Sequence, residues 1–121
     1  MFARLMGLKT ISPRDLHGAT NVVIFDVNSR QSWMSAHVPG AAHFNGDADL
    51  PADKSASLVF YCSNPLCRKA PNAAKRAKTL GYDNVRVMSA GISGWISAGL
   101  PTEPGRRPPS RGADETSARR G

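Results

Sequence analysis

The chain has 121 residues, 40% of them hydrophobic, with a formal net charge of +7 and a pI near 10.1. That length suits one domain with its own core, and that composition excludes a chain disordered throughout. Two cysteines are too few for a disulfide scaffold, and no stretch reaches the ~18 apolar residues of a membrane span.

The start, MFARLMGLKTISPRD, lacks the unbroken apolar segment of a secretory signal, so a cytoplasmic protein with reduced thiols is expected. Leu8 to Ile11 predicts a short strand, and Ser12-Pro13 predicts a helix start with proline in its first turn. Val22 to Val27 is a nearly continuous run of β-branched and aromatic residues, the pattern of a strand buried on both faces. SRQSWMSAH predicts a helix capped by Asn28 or Ser29 and closed before Val38-Pro39-Gly40. Ala42 to Asn45 reads as a brief strand, and DADLPADKSA as a loop. SLVFYC is a second buried strand, Ala70 to Leu80 a helix stopped at Gly81, NVRVMSA a further strand, and GISGWISAGLP a short helix ending at Gly99.

Strands alternating with helices predict an α/β fold: an open parallel sheet of about five strands with helices on both faces. The domain is expected over residues 1–101. From Thr102 the composition turns to Pro, Gly, Ser and Arg without large apolar residues, so residues 102–121 are expected to form a disordered basic tail. Basic residues are spread along the chain with no aromatic-interleaved stripe, which argues for small anions as ligands and against nucleic acid.

Both cysteines fall in CSNPLCRK, between a buried strand and a helix. A bridge between them would close little chain, so chemistry explains the pair better than stability does. In parallel sheets ligands bind beyond the carboxyl ends of the strands, where Cys62 is expected. Backbone N–H groups at a helix start, with Arg68, Lys69, Lys75, Arg76 and Lys78 nearby, favour an anion and a populated thiolate. Cys62 is therefore the candidate nucleophile. Zinc lacks its usual ligand spacing here.

Three stretches in order resemble the single-domain rhodanese family of sulfurtransferases, over about residues 8–101. VIFDVNSRQSWMSAHVPGAAHF carries Asp26, His37, Pro39, Gly40 and Ala41; LVFYC leads into the loop; AGISGWISAGLP carries Gly91, Trp95, Ala98, Gly99 and Pro101. The resemblance implies that Cys62 accepts sulfane sulfur from thiosulfate, polysulfide or a persulfide and passes it from a Cys62 persulfide to cyanide or to a thiol, small or protein-borne. It implies no metal and no organic cofactor. The substrate-binding loop would be Ser63, Asn64, Leu66, Cys67, Arg68 and Lys69, whose backbone N–H groups cradle the sulfur; Pro65 has none to give.

The chain also departs from the family pattern. Asn28 stands where an arginine is common, Ala70 where a serine or threonine is common, and the eight residues CSNPLCRK exceed the usual six. The longer loop and the Cys62-x5-Arg68 spacing resemble the thiol phosphatases and arsenate reductases of the same fold. Cys67 resembles the second loop cysteine of a rhodanese subset. It reads either as a resolving thiol that attacks the persulfide or as a small packing residue. A non-catalytic redox-sensing module using Cys62 and Cys67 is the alternative of another class. Asp26 and His37 read as structural, Trp33 and Trp95 as core anchors, and His17 and His43 as surface or loop residues.

Overall fold

A sheet of five strands, all parallel, organises the computed structural model of the protein, which describes residues 7–105. The strands are β1 (Lys9–Thr10), β2 (Val22–Asp26), β3 (Ala42–His43), β4 (Ser57–Tyr61) and β5 (Asn84–Val87), in the order β1-β5-β4-β2-β3. The helices are α1 (Pro13–Gly18), α2 (Arg30–Ser35), α3 (Lys69–Thr79) and α4 (Gly91–Ser97), and the predicted loop after β3 includes a 3-10 turn at Asp47–Asp49. Among the described residues no helix is long and apolar enough to cross a membrane.

Local signals set the element ends. Ser12 Oγ accepts the Asp15 N–H and Ser29 Oγ accepts the Ser32 N–H, so serines cap α1 and α2 by filling orphan donors. Ser29, not Asn28, takes the second of these positions. Gly81 and Gly99 follow α3 and α4 at φ +104° and +79°, left-handed backbone that favours glycine.

The central strand β4 alternates between two cores, as pleating requires. Leu58, Phe60 and Cys62 join Phe25, Val85, Val87 and the small stripe Ala70, Ala74 and Ala77 of α3. Val59 and Tyr61 join Leu16 of α1, Val38, Met88 and Trp95 of α4. All four residues from Leu58 to Tyr61 are fully buried. At about 1.5–3 kcal/mol per large apolar side chain, this strand is a principal source of stability. The N-terminal half of β2 is only half-buried, less than its unbroken apolar run predicts.

The C-terminal segment does not leave the body at Thr102. Glu103 and His37 exchange backbone hydrogen bonds at 2.9 and 3.0 Å, and the Gly105 N–H donates to the Met34 carbonyl at 2.9 Å. The rest of the expected tail, residues 106–121, and residues 1–6 lie outside the described residues.

Candidate active site

Cys62 follows β4 directly, at the carboxyl edge of the sheet where the strand pattern puts it. It is buried, and its backbone is held by α4. The Ile92 N–H donates to the Cys62 carbonyl at 2.8 Å, and the Ser93 N–H donates to the Ser63 carbonyl at 3.0 Å. Two orphan donors of the first turn of α4 thus fasten the start of the loop. Gly91 makes the approach close enough: a Cβ there would lie 2.6 Å from Asn64 N and 2.6 Å from the Ser63 carbonyl carbon. Gly91 also has φ +69°, so glycine is required twice over.

The loop then turns on Asn64. Its side-chain Oδ1 accepts the Leu66 N–H at 2.9 Å, and its carbonyl accepts the Cys67 N–H at 3.1 Å. This bend brings Cys67 back to Cys62 across a Cα–Cα distance of 6.4 Å, and the two sulfurs form a disulfide. Leu66, between them, is 75% exposed. Arg68 caps the start of α3 with its backbone and makes no side-chain cap, while Lys69 opens the helix; both are exposed. Serine 63 and Asn64 are exposed as well, so every predicted loop residue lies at one place.

A polar row, buried at Asp26 and Tyr61 and half-buried at His43, crosses three strands. His43, Asp26 and Tyr61 are register partners on β3, β2 and β4. Asp26 is fully buried, and its two oxygens are filled by the Asn28 N–H at 2.8 Å and the Tyr61 hydroxyl at 2.8 Å. Tyr61 in turn accepts the Val38 N–H at 3.0 Å. Burial first, then the neighbouring Asp26 charge, pushes the Tyr61 phenol far above its ordinary value, so it remains a donor. Asp26 is structural as its position suggests: it anchors the neighbouring backbone at Asn28, and its side-chain partner is Tyr61. Asn28 extends the network to the loop: its Oδ1 accepts the Ser63 hydroxyl at 2.6 Å.

The remaining predicted residues sort differently. His37 is buried, with Nδ1 2.8 Å from the Trp33 carbonyl and Nε2 3.3 Å from Glu103 Oε2. Trp95 is a core anchor, whereas Trp33 is half-buried and stacks on His37 at 4.5 Å. Trp33, His37, Ala41 and Glu103 wall a cavity of about 530 Å³ that none of residues 62–69 lines. The two cysteines lie elsewhere, so that cavity is separate from the candidate site. His43 is not a loop residue: it ends β3, donates from Nε2 to the Asn28 carbonyl at 2.8 Å, and buries Nδ1 without a partner among the described residues. Arg76 does not face the loop, because its guanidinium pairs with Asp47 at 2.8 Å.

Sequence reasoning missed the Asn28–Ser63 link, the Tyr61 hydroxyl and the reason for Gly91. A polar Asn28 in place of an arginine was the one visible signal. Tyr61 is hidden inside an apolar run, and Gly91 inside a motif match.

Comparison with known proteins agrees with this geometry. The rhodanese-like domain profile matches residues 13–98. The HTH-type transcriptional regulator Rv0324 of Mycobacterium tuberculosis is 30% identical over 93 residues, covering 72% of this chain. The match spans only 40% of the regulator's own length. The thiosulfate sulfurtransferase GlpE of Actinobacillus succinogenes is 27% identical over 105 residues, covering 81% of this chain and 93% of the relative. Among solved structures, the BH2092 protein of Bacillus halodurans shares the fold with a TM-score of 0.71 at 23% identity, covering 85% of this chain and 83% of that one. RPA3614 of Rhodopseudomonas palustris, described as of unknown function and a possible tyrosine phosphatase, matches with a TM-score of 0.67 at 26% identity, covering 84% and 89%. With a matching profile over most of its length and the cysteine-bearing loop at the end of β4, the chain belongs to the rhodanese-like domain family.

Proposed function

We propose that the protein is a sulfurtransferase that carries sulfane sulfur as a Cys62 persulfide. The observation that supports this most is the placement of Cys62: buried at the end of β4, backbone fastened by α4, and leading into the amide-rich approach to α3. The likeness to a thiosulfate sulfurtransferase over most of both chains supports the reaction class.

In the reduced protein the Cys62 thiolate attacks the sulfane sulfur of the donor. With thiosulfate, the new S–S bond forms as the old one breaks, and sulfite leaves with the bonding pair. An acceptor thiolate or cyanide then attacks the outer sulfur of the Cys62 persulfide and leaves with it, restoring the Cys62 thiolate. Cys67 offers a second exit. Its thiolate attacks Sγ of Cys62, hydrosulfide leaves, and the Cys62–Cys67 disulfide remains, the bonded state of the described chain. An external dithiol returns that disulfide to two thiols by exchange, itself becoming oxidised. The Leu66 and Cys67 N–H groups are engaged by Asn64, so the remaining loop amides and the start of α3 stabilise the anionic sulfur throughout.

The test is intact-protein mass spectrometry of the reduced protein after brief exposure to thiosulfate and, separately, to polysulfide. The expected result is a gain of one sulfur, removable by cyanide and absent from Cys62→Ser. An unchanged mass with both donors refutes the proposal and directs the next assay to phosphate-ester turnover. A second reading, a redox-sensing module, is favoured by the disulfide itself and by the likeness to a transcriptional regulator. It predicts bridge formation by oxidant without any sulfur turnover.

A further inference from the structure

We propose that Asn28 is a positioning residue for Cys62, acting through the hydroxyl of Ser63; the assignment rests on the sulfurtransferase reading above. Three contacts carry it. The Asn28 backbone N–H donates to buried Asp26 at 2.8 Å, and its carbonyl receives His43 Nε2–H at 2.8 Å. Its side-chain oxygen receives the Ser63 hydroxyl at 2.6 Å. Asn28 is thus itself held at both ends of its peptide and buried, so it offers Ser63 a fixed acceptor rather than a mobile one.

The geometry gives that bond a task. Ser63 follows the nucleophile and supplies the first N–H of the loop. On one side its carbonyl is held by the Ser93 N–H, with Gly91 packed against it. The Asn28 bond holds its side chain from the β2 side. Together they fix both peptide planes next to Cys62 Sγ, and the amides meant to converge on a thiolate or persulfide keep their aim. Without Asn28 the Ser63 side chain has lost its anchor on the β2 side. An arginine at position 28, as in the family pattern, would donate where Asn28 accepts. The Ser63 hydroxyl and Asn28 therefore form a matched pair.

The experiment uses the full chain in a Cys67→Ser background, leaving Cys62 as the single thiol. Asn28→Ala, Ser63→Ala, their combination and Ser63→Thr are compared by two rates: alkylation of Cys62 by iodoacetamide, and single-turnover formation of the Cys62 persulfide from polysulfide. Each alanine variant is expected to slow both rates about fivefold, as loss of one net hydrogen bond does. The double variant should be no slower than the slower single one, and Ser63→Thr, which keeps the donor, should restore the parent rate. Ser63 is exposed, so its replacement keeps the fold even where Asn28→Ala does not. Alkylation within twofold of the parent in folded Ser63→Ala, or multiplying losses in the double variant, overturns the proposal. If the parent takes up no sulfur but alkylation shows the fivefold pattern, the positioning role stands and the sulfurtransferase reading falls.

Discussion

Replacing Gly91 by alanine tests how the loop from Cys62 to Lys69 is held. The new methyl group would meet Asn64 N at 2.6 Å, the Ser63 carbonyl carbon at 2.6 Å and its oxygen at 2.7 Å, all of them backbone atoms that cannot rotate away. Two costs add. Left-handed backbone at φ +69° costs about 1 kcal/mol for a residue with a Cβ. Forcing loop and helix apart costs about 2 kcal/mol more, the middle of the overpacking range. Gly99→Ala is the matched control, because Gly99 has φ +79° but nothing within 4 Å of the new methyl group. It should lose about 1 kcal/mol, or roughly 4 °C in Tm, while Gly91→Ala loses about 3 kcal/mol, or roughly 12 °C. Thermal and urea unfolding of the two reduced variants measure the gap. Gly91→Ala should also slow alkylation of Cys62, since its clash falls on the residue next to it, and Gly99→Ala should not. Equal losses in the two variants would refute the reasoning, because strain alone would then explain both.

Tyr61→Phe leaves one Asp26 oxygen without its donor and the buried Val38 N–H without its acceptor, and should cost about 2–4 kcal/mol in urea unfolding; a loss below ~0.5 kcal/mol contradicts the network. Cys67→Ala should still form the Cys62 persulfide and keep it longer in mass spectra, because the intramolecular exit is gone. A persulfide that decays as fast as in the parent removes Cys67 from the resolving role. The Arg76 guanidinium, chiefly by its hydrogen bond, holds the exposed Asp47 carboxyl below its ordinary value. Its stabilisation is therefore complete above the unfolded-state value and lost as pH falls through the folded one. The Tm gap between the parent and Asp47→Asn should narrow on acidification, and a gap that widens contradicts the assignment.

Elements whose causes are local were legible in the sequence. Ser12-Pro13 needs only the residues just after it to start α1, and Gly81 and Gly99 need only their own backbone freedom to end α3 and α4. The candidate site was legible in outline for the same reason, since one short stretch holds Cys62, Cys67 and the start of α3. What could not be read depends on partners distant along the chain. Arg76 looks like part of a basic cluster until Asp47 is brought beside it. Trp33 looks like a core residue until α2 is seen to bury none of its side chains fully. Glu103 looks like tail composition until His37 offers it a strand-like bridge. Hydropathy patterns report which residues leave water, and they carry no information on which polar group meets which.

The same distinction separates the two cysteines. Cys62 is fixed by elements far from it in sequence: its carbonyl by Ile92, its neighbour by Ser93, Gly91 and Asn28, its side chain by the core beside α3. The contact described for the Cys67 backbone arises within the loop, from the Asn64 turn, and its half-buried side chain packs against the same core. A nucleophile needs its geometry fixed before substrate arrives, because each reacting encounter otherwise bears the entropy of finding it. A resolving thiol needs the opposite, freedom to stand aside while the persulfide forms and to return afterwards. Under the proposed mechanism, sulfur acceptance therefore suits the first cysteine, whose backbone α4 holds, and resolution suits the second, whose backbone the loop alone holds.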